Sequence, residues 1–418
     1  MSGVAIRQAV ILAGGKGTRL GAVTRKIPKP MLPIAGGRPF LDYLLETIER
    51  HGYEDIILLG GYLGEVLEAA YGGRRIGGAT IRVLREPAPL GTAGALTVAR
   101  EALDPRFLLM NGDAFFDINL RALEQASHQS GATATLALRS VADAARYGRV
   151  IEEKGKVVAF LEKDGSRPGP GIINGGVYVL KREILDLVLN LPCSLEQDVF
   201  PALVERDQIR GLKFDGYFLD IGLPETLEQG HRELPKVRAR PAAFLDRNTL
   251  VNFAAGVSSQ PEAFQWRQGA VEAIRTLNDH GYYVFVMDRR SGDAEETPVP
   301  AEASRLKARM QEQLAAEGAH VDRFYGDSDF PAGTAPGRAI DAAKWRRDKS
   351  FLLAATNEWP VVRERSFFIG ARGDDVEAAR SAGIAGRVFD GGDLSRLMLS
   401  LLAQSTQGSR AGLQSPSA

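Results

Sequence analysis

At 418 residues the chain exceeds a single ordinary core, and two domains are expected. Its 52 Lys plus Arg balance its 52 Asp plus Glu, so no bulk electrostatic attraction draws it to nucleic acid or to an acidic membrane. The lone Cys193 excludes an intramolecular disulfide and a cysteine-rich zinc site. No apolar run approaches the roughly 18 residues of a membrane span, and the apolar part of MSGVAIRQAVILAGG is too short for a signal peptide, so a soluble cytoplasmic protein is expected.

Ala9-Val10-Ile11-Leu12-Ala13 reads as a buried strand that feeds into Gly14-Gly15-Lys16-Gly17-Thr18-Arg19. The glycines leave backbone N–H groups uncovered for oxyanions. Arg19 adds a planar fork of donors, and Lys29, between Pro28 and Pro30, adds a point charge. The turn can therefore hold phosphate. A Walker loop would need Gly-Lys-Ser/Thr where Gly17-Thr18-Arg19 stands, and the dinucleotide fingerprint would need glycine where Leu20 stands.

Phe40 to His51 has helical spacing, and strands follow at Asp55 to Gly60 and Thr80 to Arg85, which argues for a parallel α/β sheet with ligands at the carboxyl ends of its strands. The second glycine loop, Glu86 to Gly94, can seat a base: Pro89 and Leu90 offer an apolar wall and Gly91 a close backbone approach. Glu86 could accept from the two adjacent N–H donors of guanine, whereas uracil and thymine present one N–H between carbonyls. The alternative for Glu86 is a solvated loop-edge charge.

Phe107 to Met110 is a strand that delivers Asn111-Gly112-Asp113, and Tyr217 to Asp220 ends in a second carboxylate. Either aspartate alone reads as a turn or cap residue; together with the opening loop they suit Mg²⁺, which takes one or two carboxylates plus phosphate oxygens. Between them lie Tyr147-Gly148-Arg149-Val150, the strand Val157 to Leu161 leading to Glu162-Lys163, and Ile173-Asn174-Gly175-Gly176-Val177-Tyr178. Leu180 to Leu191 and Glu225 to Leu234 read as closing helices. A basic, proline-bounded linker then precedes a second alternation: strand Ala242 to Asp246, helix Gly269 to His280, and strands Tyr282 to Met287 and Phe367 to Gly370. Domains are expected at 1–234 and 242–403, with 235–241 a linker and 404–418 a disordered tail.

Gly14-Gly15-Lys16-Gly17-Thr18-Arg19-Leu20 followed by Pro28-Lys29-Pro30-Met31-Leu32-Pro33 resembles the signature of the sugar-1-phosphate nucleotidylyltransferases. The resemblance implies an N-terminal α/β domain of GT-A type with Arg19 and Lys29 catalytic and Mg²⁺ on Asp113 and Asp220. It implies nucleotide contacts at Leu12, Ala13, Gly14, Gly15, Gly17, Thr18, Glu86, Pro89, Leu90, Gly91 and Gly112, and sugar-phosphate contacts at Gly148, Glu162, Lys163, Asn174 and Gly175. The Glu86 to Gly94 loop is similar to that of mannose- and heptose-1-phosphate guanylyltransferases. The implied substrates are therefore GTP and a sugar 1-phosphate, in a route to surface polysaccharide, with a second copy of the chain an admissible partner.

The second half resembles the haloacid-dehalogenase-type (HAD-like) phosphatases, with Asp246 at the nucleophile position. Asn248 stands where that family needs an acid, Ala371 where it needs a metal ligand, and only Asp375 remains at the metal-binding motif. Arg346 is the sole substitute for the expected lysine, and the motif-two hydroxyl is replaced within Asp288-Arg289-Arg290. A degenerate domain is expected; the alternatives are a working phosphatase, giving a bifunctional enzyme, and a chain that only binds nucleotide sugars.

Overall fold

The computed structural model describes residues 4–161, 168–253, 264–288, 300–326 and 350–411. Its chain divides into two units, Met1–Val237 and Arg238–Ala418.

The first unit carries β1 (Gln8–Leu12), β2 (Asp55–Gly60), β3 (Arg75–Ile76), β4 (Ala79–Arg85), β5 (Arg106–Asn111), β6 (Ala114–Phe116), β7 (Ala134–Val141), β8 (Arg149–Glu153), β9 (Lys156–Leu161), β10 (Gly171–Lys181), β11 (Ile209–Lys213) and β12 (Phe218–Asp220). Ten of these form one sheet in the order β3-β4-β2-β1-β5-β10-β7-β11-β9-β8, and β6 pairs with β12. Its helices include α1 (Phe40–Arg50), α2 (Gly64–Tyr71), α3 (Gly91–Val98), α4 (Leu120–Ser130), α5 (Phe200–Glu205) and α6 (Pro224–Arg238).

The run Ala9-Val10-Ile11 is apolar throughout because both faces of β1 are covered. Ala9 and Ile11 pack with Phe40, Leu44 and Ile48 of α1, while Val10 packs with Ala95 and Leu96 of α3. In β5, Leu108 and Met110 face the first cluster and Phe107 and Leu109 the second. The registers set Leu12 opposite Leu59 and Asn111, and Gly60 opposite Arg85, so the loops after β1, β2, β4 and β5 emerge at one edge.

The sheet is mixed rather than parallel, because β10 runs antiparallel to both β5 and β7. The chain reaches β10 through the β8–β9 hairpin, without the crossover helix that a parallel strand requires. Leu180, expected to start a helix, instead pairs with Phe107 and Ala134 inside the sheet, and 3₁₀ turns over Arg182–Leu187 follow. The expected linker at 235–241 begins as helix, since α6 runs to Arg238 with Pro235 inside it and Leu234 buried.

The second unit holds β13 (Ala242–Asp246), β14 (Val251–Phe253), β15 (Phe264–Trp266), β16 (Tyr283–Asp288), β17 (Arg323–Gly326), β18 (Phe367–Gly370) and β19 (Ala385–Val388). The order β17-β16-β13-β18-β19 is parallel at every pairing. In β13, Ala243 and Leu245 face one cluster, and Ala242 and Phe244 the other, so this sheet too is covered on both faces. Its helices among the described residues include α7 (Arg247–Leu250), α8 (Ala270–Asp279), α9 (Pro300–Ala316), α10 (Ser350–Glu358), α11 (Gly373–Ser381) and α12 (Leu394–Ala411). The tail expected to be disordered from residue 404 is thus helical to Ala411. No helix among the described residues is long and apolar enough to cross a membrane.

Candidate active site

The loop after β1 is shaped by two glycines with different duties. Gly17 has φ +62°, and a Cβ there would stand 2.8 Å from Thr24 Cγ2; the Thr24 hydroxyl donates to Gly17 O at 3.1 Å and fixes the turn. At Gly14 a Cβ would meet Glu86 Oε1 at 2.3 Å and Gly61 N at 3.2 Å, so glycine lets the phosphate-type loop pack against Gly61 and the β4 end without displacing the Glu86 side chain. Tyr62, after β2, donates its amide to Gly14 O and its hydroxyl to Arg25 O, at 3.2 Å each.

The β6–β12 ribbon explains how two aspartates far apart in sequence meet. Asp220 lies opposite Ala114, beside Asp113, and Ile221 N donates to Asp113 O at 3.0 Å. Lys29, 5% exposed, places Nζ 2.6 Å from Asp113 Oδ2 and 3.9 Å from Asp220 Oδ1. Arg19 joins them: a methyl group at Gly222 would lie 2.7 Å from Asp220 Oδ1, 3.2 Å from Arg19 Nη2 and 3.4 Å from Lys29 Nζ. Two cations and two carboxylates therefore converge. Burial, reinforced by the Asp113 charge, pushes the Asp220 carboxyl above the usual range, against the pull of Lys29, the Gly222 amide and Arg19.

Lys29 and Asp113 border a cavity of about 710 Å³, also lined by Leu12, Ala13, Gly14, Gly15, Glu86, Pro89 and Gly91 among the expected residues; Arg19 and Asp220 are not part of its lining. Glu86 is partly withdrawn from water, which raises its carboxyl, while Leu90 N donates to Oε2 at 3.2 Å and lowers it.

Leu90 is not a wall of the cavity; its backbone is spent on Glu86 and on Cys193 N, which donates to Leu90 O at 2.8 Å. Gly91 lines the cavity and also packs against protein: φ is +79° and a Cβ would meet Cys193 O at 2.4 Å. At Gly112 a Cβ would meet Leu12 O at 2.5 Å, and at Gly175 it would meet the Phe116 ring at 2.4 Å, so a side chain at either position would crowd the neighbouring strands. Gly148, in the turn before β8, faces Leu161 O in the same way at 3.1 Å. Thr18 is exposed, opens the 3₁₀ segment Thr18–Arg25 and does not line the cavity. Asn174 donates to Tyr178 and Glu196 rather than standing open. Glu162, Lys163, Arg289, Arg290 and Arg346 lie outside the described residues.

The cavity also takes Tyr62, Thr92, Asn111, Tyr178, Leu195 and Glu196, which sequence reasoning missed. Leu195 N donates to Thr92 Oγ1 at 2.8 Å, and Ala93 and Gly94 donate to Cys193 O, so the segment 193–196 is bolted to the start of α3. The one sequence signal was Ser194 ahead of Leu195-Glu196-Gln197, a helix-cap pattern; its hydroxyl accepts from Gln197 N.

The nucleotidyl transferase family matches residues 8–237, which carry the whole of this site. The chain belongs to that family. The D-glycero-α-D-manno-heptose 1-phosphate guanylyltransferase of Aneurinibacillus thermoaerophilus is 37% identical over 229 residues, 54% of this chain and 98% of that protein. The mannose-1-phosphate guanylyltransferase of Mycobacterium tuberculosis is 38% identical over 257 residues, 60% of this chain and 71% of that protein. The crystal structure of HddC from Yersinia pseudotuberculosis overlaps with a TM-score of 0.50 at 30% identity, covering 55% of this chain and 100% of that one. This nucleotidyltransferase thus has its site in the first unit.

In the second unit, Asp246 ends β13 and is buried, its Oδ1 accepting from Asn248 N at 2.9 Å. Asp288, at the end of neighbouring β16, holds Arg247 at 2.5 Å, and Asp375 is buried in α11. Among the described residues no group of three or more His, Cys, Asp or Glu could hold a metal ion.

Proposed function

We propose that the first unit transfers a guanylyl group from GTP to a sugar 1-phosphate of the mannose or D-glycero-D-manno-heptose type, releasing pyrophosphate, in a route to surface polysaccharide. The observation that carries this is the convergence of Lys29, Arg19, Asp113 and Asp220 beside a cavity whose wall includes Glu86. The names of the two sequence relatives support guanine and the two sugars.

Charge dictates the division of labour. The sugar phosphate is already ionised and needs no general base. Lys29 and Arg19 offset the repulsion between two polyanions and stabilise charge building on the departing pyrophosphate. Lys29 is held for this by its buried stem and its two carboxylates, so little reorganisation accompanies the reaction. Glu86, braced by Leu90 N, keeps acceptor capacity for the guanine N1–H and amine pair. Asp113 and Asp220 fit Mg²⁺, being two carboxylates from paired strands that leave the remaining positions to phosphate and water. When bound there, Mg²⁺ would draw charge from the phosphate oxygens. Pyrophosphate release across four nucleoside triphosphates and mannose, heptose, glucose and N-acetylglucosamine 1-phosphates tests the reading: turnover confined to GTP with the first two supports it, and turnover with other pairs or none overturns it.

The second unit is read as a HAD-like phosphatase fold that has lost its chemistry. Numbered within the five-stranded sheet, its strands run 3-2-1-4-5, with Asp246 at the carboxyl end of strand 1, at the switch point. Asn248 cannot supply a titratable proton and Ala371 cannot bind metal. The full chain should release no phosphate from a sugar bisphosphate; release abolished by Asp246→Asn would contradict this.

A further inference from the structure

The segment 14–25 carries Arg19 and has to hold it near Asp220, yet it offers little surface to the rest of the domain. Only Leu20 and Thr24 within it are buried, and Arg19 itself is exposed. Its backbone doubles back on itself, with φ +62° at Gly17 and +66° at Gly21. The Leu20 amide donates to Gly17 O at 2.9 Å, and the Thr24 hydroxyl reaches Gly17 O at 3.1 Å and Gly21 O at 3.3 Å. These bonds are internal: they fold the loop but do not set where it lies. Among the described residues, the hydrogen bonds that tie the segment to the rest of the protein both come from Tyr62, whose amide donates to Gly14 O and whose hydroxyl donates to Arg25 O, at 3.2 Å each. One residue thus pins both ends of the loop that presents Arg19.

The turn that carries Tyr62 is itself strained. Leu63, at the start of α2, has φ +56°, in the left-handed region that a residue with a Cβ rarely adopts. Gly64 N donates to Gly61 O at 3.0 Å and closes the turn. At Gly61 a Cβ would stand 2.9 Å from Gly14 Cα, so the turn packs directly against the glycine loop. Joining β2 to α2 does not by itself call for left-handed backbone at a leucine, and such strain gathers where a fixed geometry serves function. Here it accompanies a tyrosine that reaches both ends of the loop. The Tyr62 ring also lines the cavity, so losing the whole side chain would disturb ligand and loop together, whereas losing the hydroxyl alone removes only the bond to Arg25 O.

We propose that Tyr62 is a positioning residue for guanylyl transfer: its hydroxyl, bonded to Arg25 O, holds the loop that presents Arg19 to the triphosphate. The inference rests on the transferase reading above. Two measurements on the full chain carrying Tyr62→Phe test it. Trypsin should make its first cuts after the exposed Arg19, Arg25 and Lys26, read by mass spectrometry, about two- to tenfold faster than in wild type, because cutting follows the population of opened loop and one neutral hydrogen bond is lost. Steady-state pyrophosphate release should show kcat lowered by about two- to tenfold, with KM for the sugar 1-phosphate within about twofold. In the Arg19→Ala background, Tyr62→Phe should lower kcat no further, since a positioning residue has no effect once its client is gone. Additive effects would overturn positioning through Arg19. Unchanged cutting, or faster cutting with unchanged kcat, would overturn the role of Tyr62 while leaving the transferase reading intact. Wild-type inactivity with every nucleoside triphosphate and sugar 1-phosphate would overturn both.

Discussion

Lys29→Met separates catalysis from packing at the centre of the site. Removing Nζ leaves the Asp113 and Asp220 carboxylates facing each other without the cation that now stands 2.6 Å from one and 3.9 Å from the other. Breaking a buried pair costs about 3–5 kcal/mol. The Asp113 side chain is 40% exposed, so water relieves part of this, and about 1–2 kcal/mol is the expected loss. For a unit of this size that lowers the melting temperature by about 2–8 °C. If Lys29 is a preorganised charge donor, turnover should fall about 10²- to 10³-fold, far more than this stability loss accounts for at a temperature where the variant is folded. Pyrophosphate release and thermal melting, each with and without Mg²⁺, give both numbers, and Mg²⁺ should narrow the melting gap by neutralising the aspartates. Turnover within about threefold of wild type alongside the melting shift would show that Lys29 only braces the carboxylates.

Glu86→Gln should abolish the preference for GTP over UTP and dTTP, measured as a ratio of kcat/KM; an unchanged ratio refutes the base-pocket argument. Burial raises the Glu86 carboxyl, so it takes up its proton at a higher pH than an exposed glutamate does, and KM for GTP should climb as pH falls through that raised value. The Gln variant should show no such climb. Gly91→Ala forces a side chain onto a backbone at φ +79° and a Cβ to within 2.4 Å of Cys193 O, and should cost about 1–3 kcal/mol in chemical denaturation; full stability there would mean that the 193–196 segment is not docked as described. Chelation of divalent metal should stop turnover and Mg²⁺ should restore it, whereas activity persisting in chelator would refute the metal role of Asp113 and Asp220.

The parts of the site that could be read from sequence are those whose chemistry is local. Gly14 to Arg19 sit in one turn, Lys29 is bracketed by prolines, and Asp113 follows a strand that is apolar on both faces. The meeting of Asp113 with Asp220 was anticipated only through family resemblance, because the β6–β12 ribbon that causes it is three residues long on each side. The place of Tyr178 and Glu196 in the cavity could not be read; only the Ser194 cap pattern marked the segment that carries Glu196. Tyr178 reaches the cavity because β10 inserts antiparallel between β5 and β7, and Glu196 because Leu195 bonds Thr92 across 103 positions.

The most direct test of guanylyl transfer is a single turnover of the full chain with GTP and mannose or heptose 1-phosphate carrying ¹⁸O on all three non-bridging phosphate oxygens, with products weighed by mass spectrometry. Attack of the sugar phosphate on the α-phosphorus predicts a GDP-sugar that retains all of the label and a pyrophosphate that carries none. Labelled pyrophosphate, or loss of label to inorganic phosphate without a GDP-sugar, would contradict the account.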